Sequence, residues 1–168
     1  GEWILKRQKR KDVIPKTIEK LKSDLSLEIP PRRIEAFDVS HLGGKNIVGS
    51  MVCFINTQPK KSEYRKFMIK SVEDNNDYAS IKEIVLRRYT RAIKESFPLP
   101  NLIIIDGGKG QLSAAGFSLK QLGLEHIPII GLAKRLEEVY VSGFKDTQSI
   151  DKQSRGFFIL RQIRNHAH

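Results

Sequence analysis

The amino-acid sequence predicts a mixed α/β fold: three antiparallel leading strands, then alternating helices and strands, giving a sheet of five or slightly more strands with helices on both faces. Three observations carry that expectation. Leu102-Ile103-Ile104-Ile105 is an unbroken branched apolar run that stops on Asp106 and two glycines, as a strand buried on both faces does where it meets a ligand-binding turn. Three β-rich runs lie between residues 33 and 72 with only short turns between them. Past Asp77 the apolar residues recur at spacings of three and four, and strands and helices then alternate.

The chain of 168 residues is one domain with room for a real core. Its 39% hydrophobic and 29% charged residues are those of an ordinary globular protein rather than a disordered one. Lys and Arg outnumber Asp and Glu 30 to 19, a net charge of +11. That excess favours a polyanion as partner, nucleic acid ahead of a membrane surface; charge kept for solubility is the competing account. The single Cys53 lies in an apolar strand-like run and reads as a core residue. It excludes an internal disulfide and a cysteine-based zinc site, and fits a reducing cytoplasm. No apolar run reaches the length of a membrane span, and no signal-peptide pattern is present, so no membrane partner is expected. Both ends lie in charged sequence, as in a piece of a longer chain.

Each element has a local cause. Residues 1–12 are basic, through Lys6, Arg7, Lys9, Arg10 and Lys11, and read as a solvated linker or a phosphate contact. Ile14, Ile18, Leu21 and Leu25 mark a short amphipathic helix from Pro15 to Leu27, so residues 1–30 form a linker plus helix ahead of a domain over 31–168. Strands are expected at Arg33 to Val39, with Gly43-Gly44 turning out of it, at Ile47 to Asn56, and at Glu63 to Val72 with Tyr64, Phe67 and Ile69 as its apolar anchors. A helix from Asp77 to Phe97 buries Tyr78, Ile81, Val85, Tyr89, Ala92 and Ile93, with Asp77 placed as its N-cap. After the Leu102–Ile105 strand, Leu112, Ala115, Leu119 and Leu122 make another helix, stopped by Gly123. Ile127 to Leu132 and Glu138 to Ser142 are strands, residues 143–154 a polar loop, and Phe157, Leu160, Ile163 and Ala167 the buried side of a last helix. This order is the plan of ribonuclease-H-like folds; a doubly wound fold would place helices between the first strands.

The upstream run Ile34 to Gly44 repeats the arrangement of the central strand: a strand, Asp38, then a turn with two glycines. Around these acids stand Asp38-Val39-Ser40-His41-x-x-Gly44, Tyr64-Arg65-Lys66-Phe67, Asp77-Tyr78-Ala79-Ser80, Arg87-Arg88-Tyr89, Ile105-Asp106-Gly107-Gly108-Lys109-Gly110-Gln111-Leu112 and Gly131-Leu132-Ala133-Lys134. In order and spacing these blocks, over roughly residues 30 to 168, resemble the carboxy-terminal endonuclease domain of the UvrC family, the incision subunits of bacterial nucleotide excision repair. The resemblance implies a ribonuclease-H-like fold and divalent-metal hydrolysis of a phosphodiester on the 5′ side of a DNA lesion. It implies damaged double-stranded DNA as substrate and UvrB as partner, met through parts of a longer chain. It also implies that Asp38, Asp77 and Asp106 serve incision and that His168 matches the histidine closing the family's Ile-Arg-Asp-Glu-Ala-His block. Here that block reads Ile163-Arg164-Asn165-His166-Ala167-His168, with Asn-His in place of an acid pair.

The chemistry fits these residue types. Phosphodiester hydrolysis needs an activated in-line water and a stabilised leaving oxygen, which two Mg²⁺ or Mn²⁺ ions supply together. Such hard cations take oxygen ligands, so Asp38 and Asp106 on adjacent strands are the expected bridging ligands, with His168 as a further metal ligand or proton carrier. Asp77 reads either as a helix cap or as a contributor to catalysis. His41 reads as an orienting or a packed histidine, and Glu83 as an exposed helix residue. Gly107-Gly108-Lys109-Gly110 lacks the spacing of a nucleotide-binding loop; its glycines are expected to admit the DNA backbone. Arg65, Lys66, Arg88, Lys109 and Lys134 are the candidate phosphate contacts, which position a strand without reading its sequence. Two other readings compete: a non-catalytic nucleic-acid-binding module with a degraded site, and a ribonuclease acting on RNA–DNA hybrids.

Overall fold

The computed structural model describes residues 13–43, 46–69 and 77–168. In chain order the elements are α1 (Lys16–Asp24), β1 (Arg33–His41), β2 (Ile47–Ile55), β3 (Gln58–Pro59), a 3₁₀ turn (Lys61–Glu63), β4 (Arg65–Ile69), α2 (Asp77–Lys94), β5 (Leu102–Asp106), α3 (Lys109–Gln121), β6 (Ile129–Leu132), β7 (Glu138–Val141), β8 (Gln148–Ser149) and α4 (Arg155–Ala167). One sheet runs in the order β3-β2-β1-β5-β6-β7-β8, and β4 also pairs with β2. β1, β5 and β6 are parallel, while β2 lies antiparallel to β1 and β7 to β6. This is the ribonuclease-H-like plan, enlarged by the two-residue strands β3 and β8.

The third expected strand, Glu63 to Val72, is seen as β4, and an extra short strand, β3, stands before it in the expected turn. Asn56 and Thr57 both have positive φ, +48° and +74°, the backbone of a two-residue hairpin turn. It folds β3 back onto Phe54 and Ile55; after the 3₁₀ turn, β4 resumes along the same edge of β2, from Met51 to Ile47. The remainder of that expected strand, residues 70–72, lies outside the described residues, as do Gly44 and the basic residues before Val13. β8 falls inside the segment expected to be polar loop, where Ile150 is buried.

Alternation along the central strands sorts side chains to two cores. Ile34, Ala36, Leu102, Ile104, Ile130 and Leu132 pack beneath α1 and α4 with Leu21, Leu160 and Ile163. Phe37, Ile103, Ile105 and Ile129 pack beneath α2 and α3 with Ile81, Val85, Tyr89 and Leu119. Leu21 and Leu25 of α1 belong to the first core, so this helix is built into the body of the domain. α3 ends as expected: Gly123 at φ +71° lets Leu124 N–H donate to Leu119 C=O and its own N–H to Lys120 C=O.

α2 differs from its sequence pattern. Tyr78 and Ile93 are about half exposed, whereas Ile84 and Arg88 are buried. The true stripe is 81, 84, 85, 88, 89 and 92, and a charged residue in it breaks the apolar pattern. Arg88 pairs with Glu35, which is fully buried on β1: Arg88 Nη2 lies 3.5 Å from Glu35 Oε2, Arg33 Nε donates to that oxygen at 2.9 Å, and Tyr89 Oη donates to Oε1 at 2.8 Å. Arg88 is therefore a core residue, which corrects its assignment as a phosphate contact. Burial, together with the Glu35 charge, drives the Tyr89 phenol well above its ordinary pKa, so it stays a donor. Cys53 is buried as expected, and burial pushes its thiol up to about 11.

Removing Glu35 strands two buried guanidinium groups. Glu35→Ala is expected to cost about 3–5 kcal/mol in urea unfolding, against about 1 kcal/mol for Tyr89→Phe, which deletes one hydrogen bond and no charge.

Candidate metal centre

The parallel ladder between β1 and β5 pairs Ile34 with Leu102 and continues to Phe37 with Ile105. One step further along both strands lie Asp38 and Asp106. Because Ala36 and Ile104, two residues earlier, face the α4 side, both carboxylates face it too. α4 runs across that face and ends there, His168 following Ala167 and donating its N–H to Arg164 C=O. Asp38, Asp106 and His168 each offer one ligand atom, and these atoms lie within 4.8 Å of one another. His168 Nε2 is 2.5 Å from Asp106 Oδ2 and 3.8 Å from Asp38 Oδ2. Two oxygens and an imidazole nitrogen converging on one point suit a divalent cation, and the exposed His168 leaves the rest of its shell open to water or substrate.

The last turn of α4 grips both oxygens of Asp106. His168 meets Oδ2, and Arg164, one turn earlier, places Nε 3.3 Å from Oδ1. The same guanidinium donates to Ala133 C=O at 3.2 Å and Lys134 C=O at 3.5 Å, just beyond β6. Its charge also offsets the negative end of the helix dipole, which here points at two carboxylates. Sequence reasoning gave Arg164 no role; its position four residues before His168 on a helix was the available signal. Beneath the turn after Asp106, a Cβ on Gly131 would come 3.0 Å from Gly107 O, so bare backbone at β6 lets that turn sit close.

Asp38 carries a large pKa shift. Burial first, then the Asp106 charge, raises its carboxyl from 3.8 to about 6, against the opposing pull of His168, the Val39 amide and Arg164. Val39 N–H donates to Asp38 Oδ1 at 2.9 Å, leaving Oδ2 toward His168.

The other candidates are dispersed. Asp77 lies outside the three-residue cluster, its Oδ1 2.9 Å from His41 Nε2; it is the first residue of α2, and position 76, where a cap would stand, lies outside the described residues. Glu83 pairs with Arg87 on the helix surface. Lys66 registers with Ser50, and Ser50 with Asp38, so Lys66 shares the face of the acids two strands away, about 10 Å. Arg65 has the opposite parity and turns to Glu63 and to the carbonyls of Ser62 and Tyr64. Lys109 and Lys134 are exposed beside the turns that follow Asp106 and β6. Gly110 does not open a path for a ligand: a Cβ there would lie 2.5 Å from the Tyr78 ring. Asn165 is exposed and His166 bonds Tyr64 Oη at 2.8 Å, so the altered pair removes no member of the cluster.

The sign of the Asp38 shift fixes a pH dependence. A carboxyl raised on folding stabilises the fold fully below about pH 3.8, and that contribution is lost as pH rises through about 6. In chelator the ionised Asp38 thus costs up to about 3 kcal/mol at neutral pH. Asp38→Asn is expected to raise the melting temperature of the metal-free chain at pH 7.5 by ~5 °C, with the difference from the unsubstituted chain vanishing near pH 4.

Residues 22–168 match the family described as the UvrC RNAse H endonuclease domain. The UvrABC system protein C of Prosthecochloris aestuarii is 46% identical over 169 residues, covering 99% of this chain and 27% of that protein. Its counterpart from Salinibacter ruber is 46% identical over 172 residues, covering 100% and 27%. The chain thus spans about a quarter of the length of the curated relatives it matches. Among solved structures, Endonuclease V of Ciona intestinalis, in complex with a 24mer DNA containing an inosine followed by a ribo-adenosine, is 18% identical with a TM-score of 0.48 over 80% of this chain and 59% of that one. With near-complete coverage at this identity, and a family match through all but the first 21 residues, the chain belongs to the UvrC RNase H endonuclease domain family.

Proposed function

We propose that this chain is a divalent-metal-dependent DNA endonuclease unit that hydrolyses a phosphodiester on the 5′ side of a lesion. In this reading it acts in the cytoplasm as the incising part of an excision-repair subunit, on damaged duplex DNA presented with UvrB. The observation that supports it most is the convergence of Asp38, Asp106 and His168 within 4.8 Å. Asp38, Asp106 and His168 would hold Mg²⁺ or Mn²⁺, and two such ions would supply Lewis-acid stabilisation of the leaving oxygen and a more acidic attacking water. Asp38 and Asp106 would be the hard oxygen donors, with His168 a third ligand at the solvent-exposed side. Arg164 holds Oδ1 of Asp106 so that Oδ2 stays aimed into the cluster. Lys66, Lys109 and Lys134 flank the acids as phosphate contacts, and among the described residues around the acids no set of side chains is suited to reading bases, as incision at any sequence requires.

Asp106→Ala is expected to lower Mg²⁺- or Mn²⁺-dependent nicking of damaged duplex by ~100-fold or more while leaving the circular dichroism spectrum unchanged; undiminished nicking rejects the site. Arg164→Lys keeps the charge and loses the three-point grip, and is expected to lower nicking by ~10–100-fold. Comparing an RNA–DNA hybrid with damaged duplex separates the proposed activity from a ribonuclease, which would cut the hybrid faster.

A further inference from the structure

The outward face of α4 carries a second group of side chains, running from Phe158 toward the metal-centre residue His168. Phe158, Arg161, Gln162, Asn165 and His168 are all exposed on it, and the helix holds no acidic residue from Arg155 to Ala167. Phe158 leaves 45% of its surface to solvent, with the Arg161 guanidinium 5.3 Å from its ring centroid. The ring walls a shallow depression of about 360 Å³ lined also by Thr17, Thr57, Gln58, Arg155 and Gln162. Thr57 is held there at φ +74°, a conformation rare for a β-branched residue. A flat apolar ring, hydroxyls and amides at its edge, guanidinium groups nearby and no carboxylate match the needs of an unpaired nucleotide: a π-face, a hydrogen-bonding edge and a phosphate.

We propose that this depression binds one unpaired nucleotide of the DNA strand that runs to the metal centre, its base stacked on Phe158 and its phosphate met by Arg155 and Arg161. The proposal rests on the nuclease reading above and adds a place where the bound strand is held open. Ten residues of helix separate Phe158 from His168, about 15 Å, the length of roughly four stacked nucleotides. Asn165 lies between them, and α4 itself offers no negative side chain along the way.

The test compares binding of two fluorescein-labelled duplexes, one with a four-nucleotide unpaired bubble and one fully paired, by anisotropy in chelator so that neither is cut. Phe158→Ala and Phe158→Leu are both expected to weaken the bubble by about tenfold and the paired duplex by less than about twofold. Mn²⁺ binding, followed by electron paramagnetic resonance, is expected to be unchanged in both. Full bubble affinity in Phe158→Ala, recovery in Phe158→Leu, equal losses on the two probes, or no preference of the unsubstituted chain for the bubble would each overturn the proposal. Absence of metal-dependent nicking by the unsubstituted chain would instead reject the nuclease reading, while the anisotropy result still decides the nucleotide site.

Discussion

Parallel pairing of β1 with β5 is the constraint on which the site depends. Strand register fixes two things at once: that Asp38 and Asp106 are neighbours, and that both face α4. A slip of one residue in either strand would send one carboxylate to the α2 side and exchange its neighbours between the two cores. The buried run Leu102 to Ile105 before Asp106, and Ile34, Ala36 and Phe37 with the paired Glu35 before Asp38, hold the register, because each side chain has its place in one of the two cores. The cost is electrostatic. Burial first, and then repulsion between the two carboxylates, raises the pKa of Asp38. The strain is relieved by positive charge from the last turn of α4, and in the proposed chemistry by a cation.

β1 shows how similar acids acquire different work. Glu35, three residues before Asp38, faces the opposite core and is saturated by Arg33, Arg88 and Tyr89. Its charge is neutralised inside the protein and is available to nothing else. Asp38 has no such escort: its contacts are a backbone amide and a histidine nearly 4 Å away. Full burial with three partners makes Glu35 part of the fold, while Asp38, less buried and without an arginine in direct contact, keeps an oxygen turned toward His168.

Much of this was legible in the residues themselves. Leu102 to Asp106 announces a central strand by composition alone, and the second such run around Asp38 marks its partner. What the pattern could not place were residues whose role is set by the far side of the fold. Arg88 reads as surface because arginine is polar; only the burial of Glu35, more than 50 positions earlier, makes it core. Arg65 and Lys66 are adjacent in sequence, yet strand parity sends them to opposite faces. Arg164 was invisible because its partners, Asp106 and the carbonyls after β6, come from two other elements. Gly110, read as an opening for DNA, instead makes room for the Tyr78 ring.

The start of α4 is fastened as firmly as its end. Ser154 caps the helix by accepting from Gly156 N–H, and its hydroxyl donates to Asp24 at the close of α1, where Lys20 also pairs. A side chain on Gly156 would run into Asp24 and Leu21, so the two helices meet without slack. Thirteen residues of α-helix make a rod about 20 Å long. If catalytic side chains must hold position within ~0.5 Å, the rod tolerates a tilt of only about 1.5° at its fastened base. α1, remote from the carboxylates, thus acts as the anchor block of a lever whose tip is the histidine, and whatever nudges that block shifts His168 against Asp38 and Asp106.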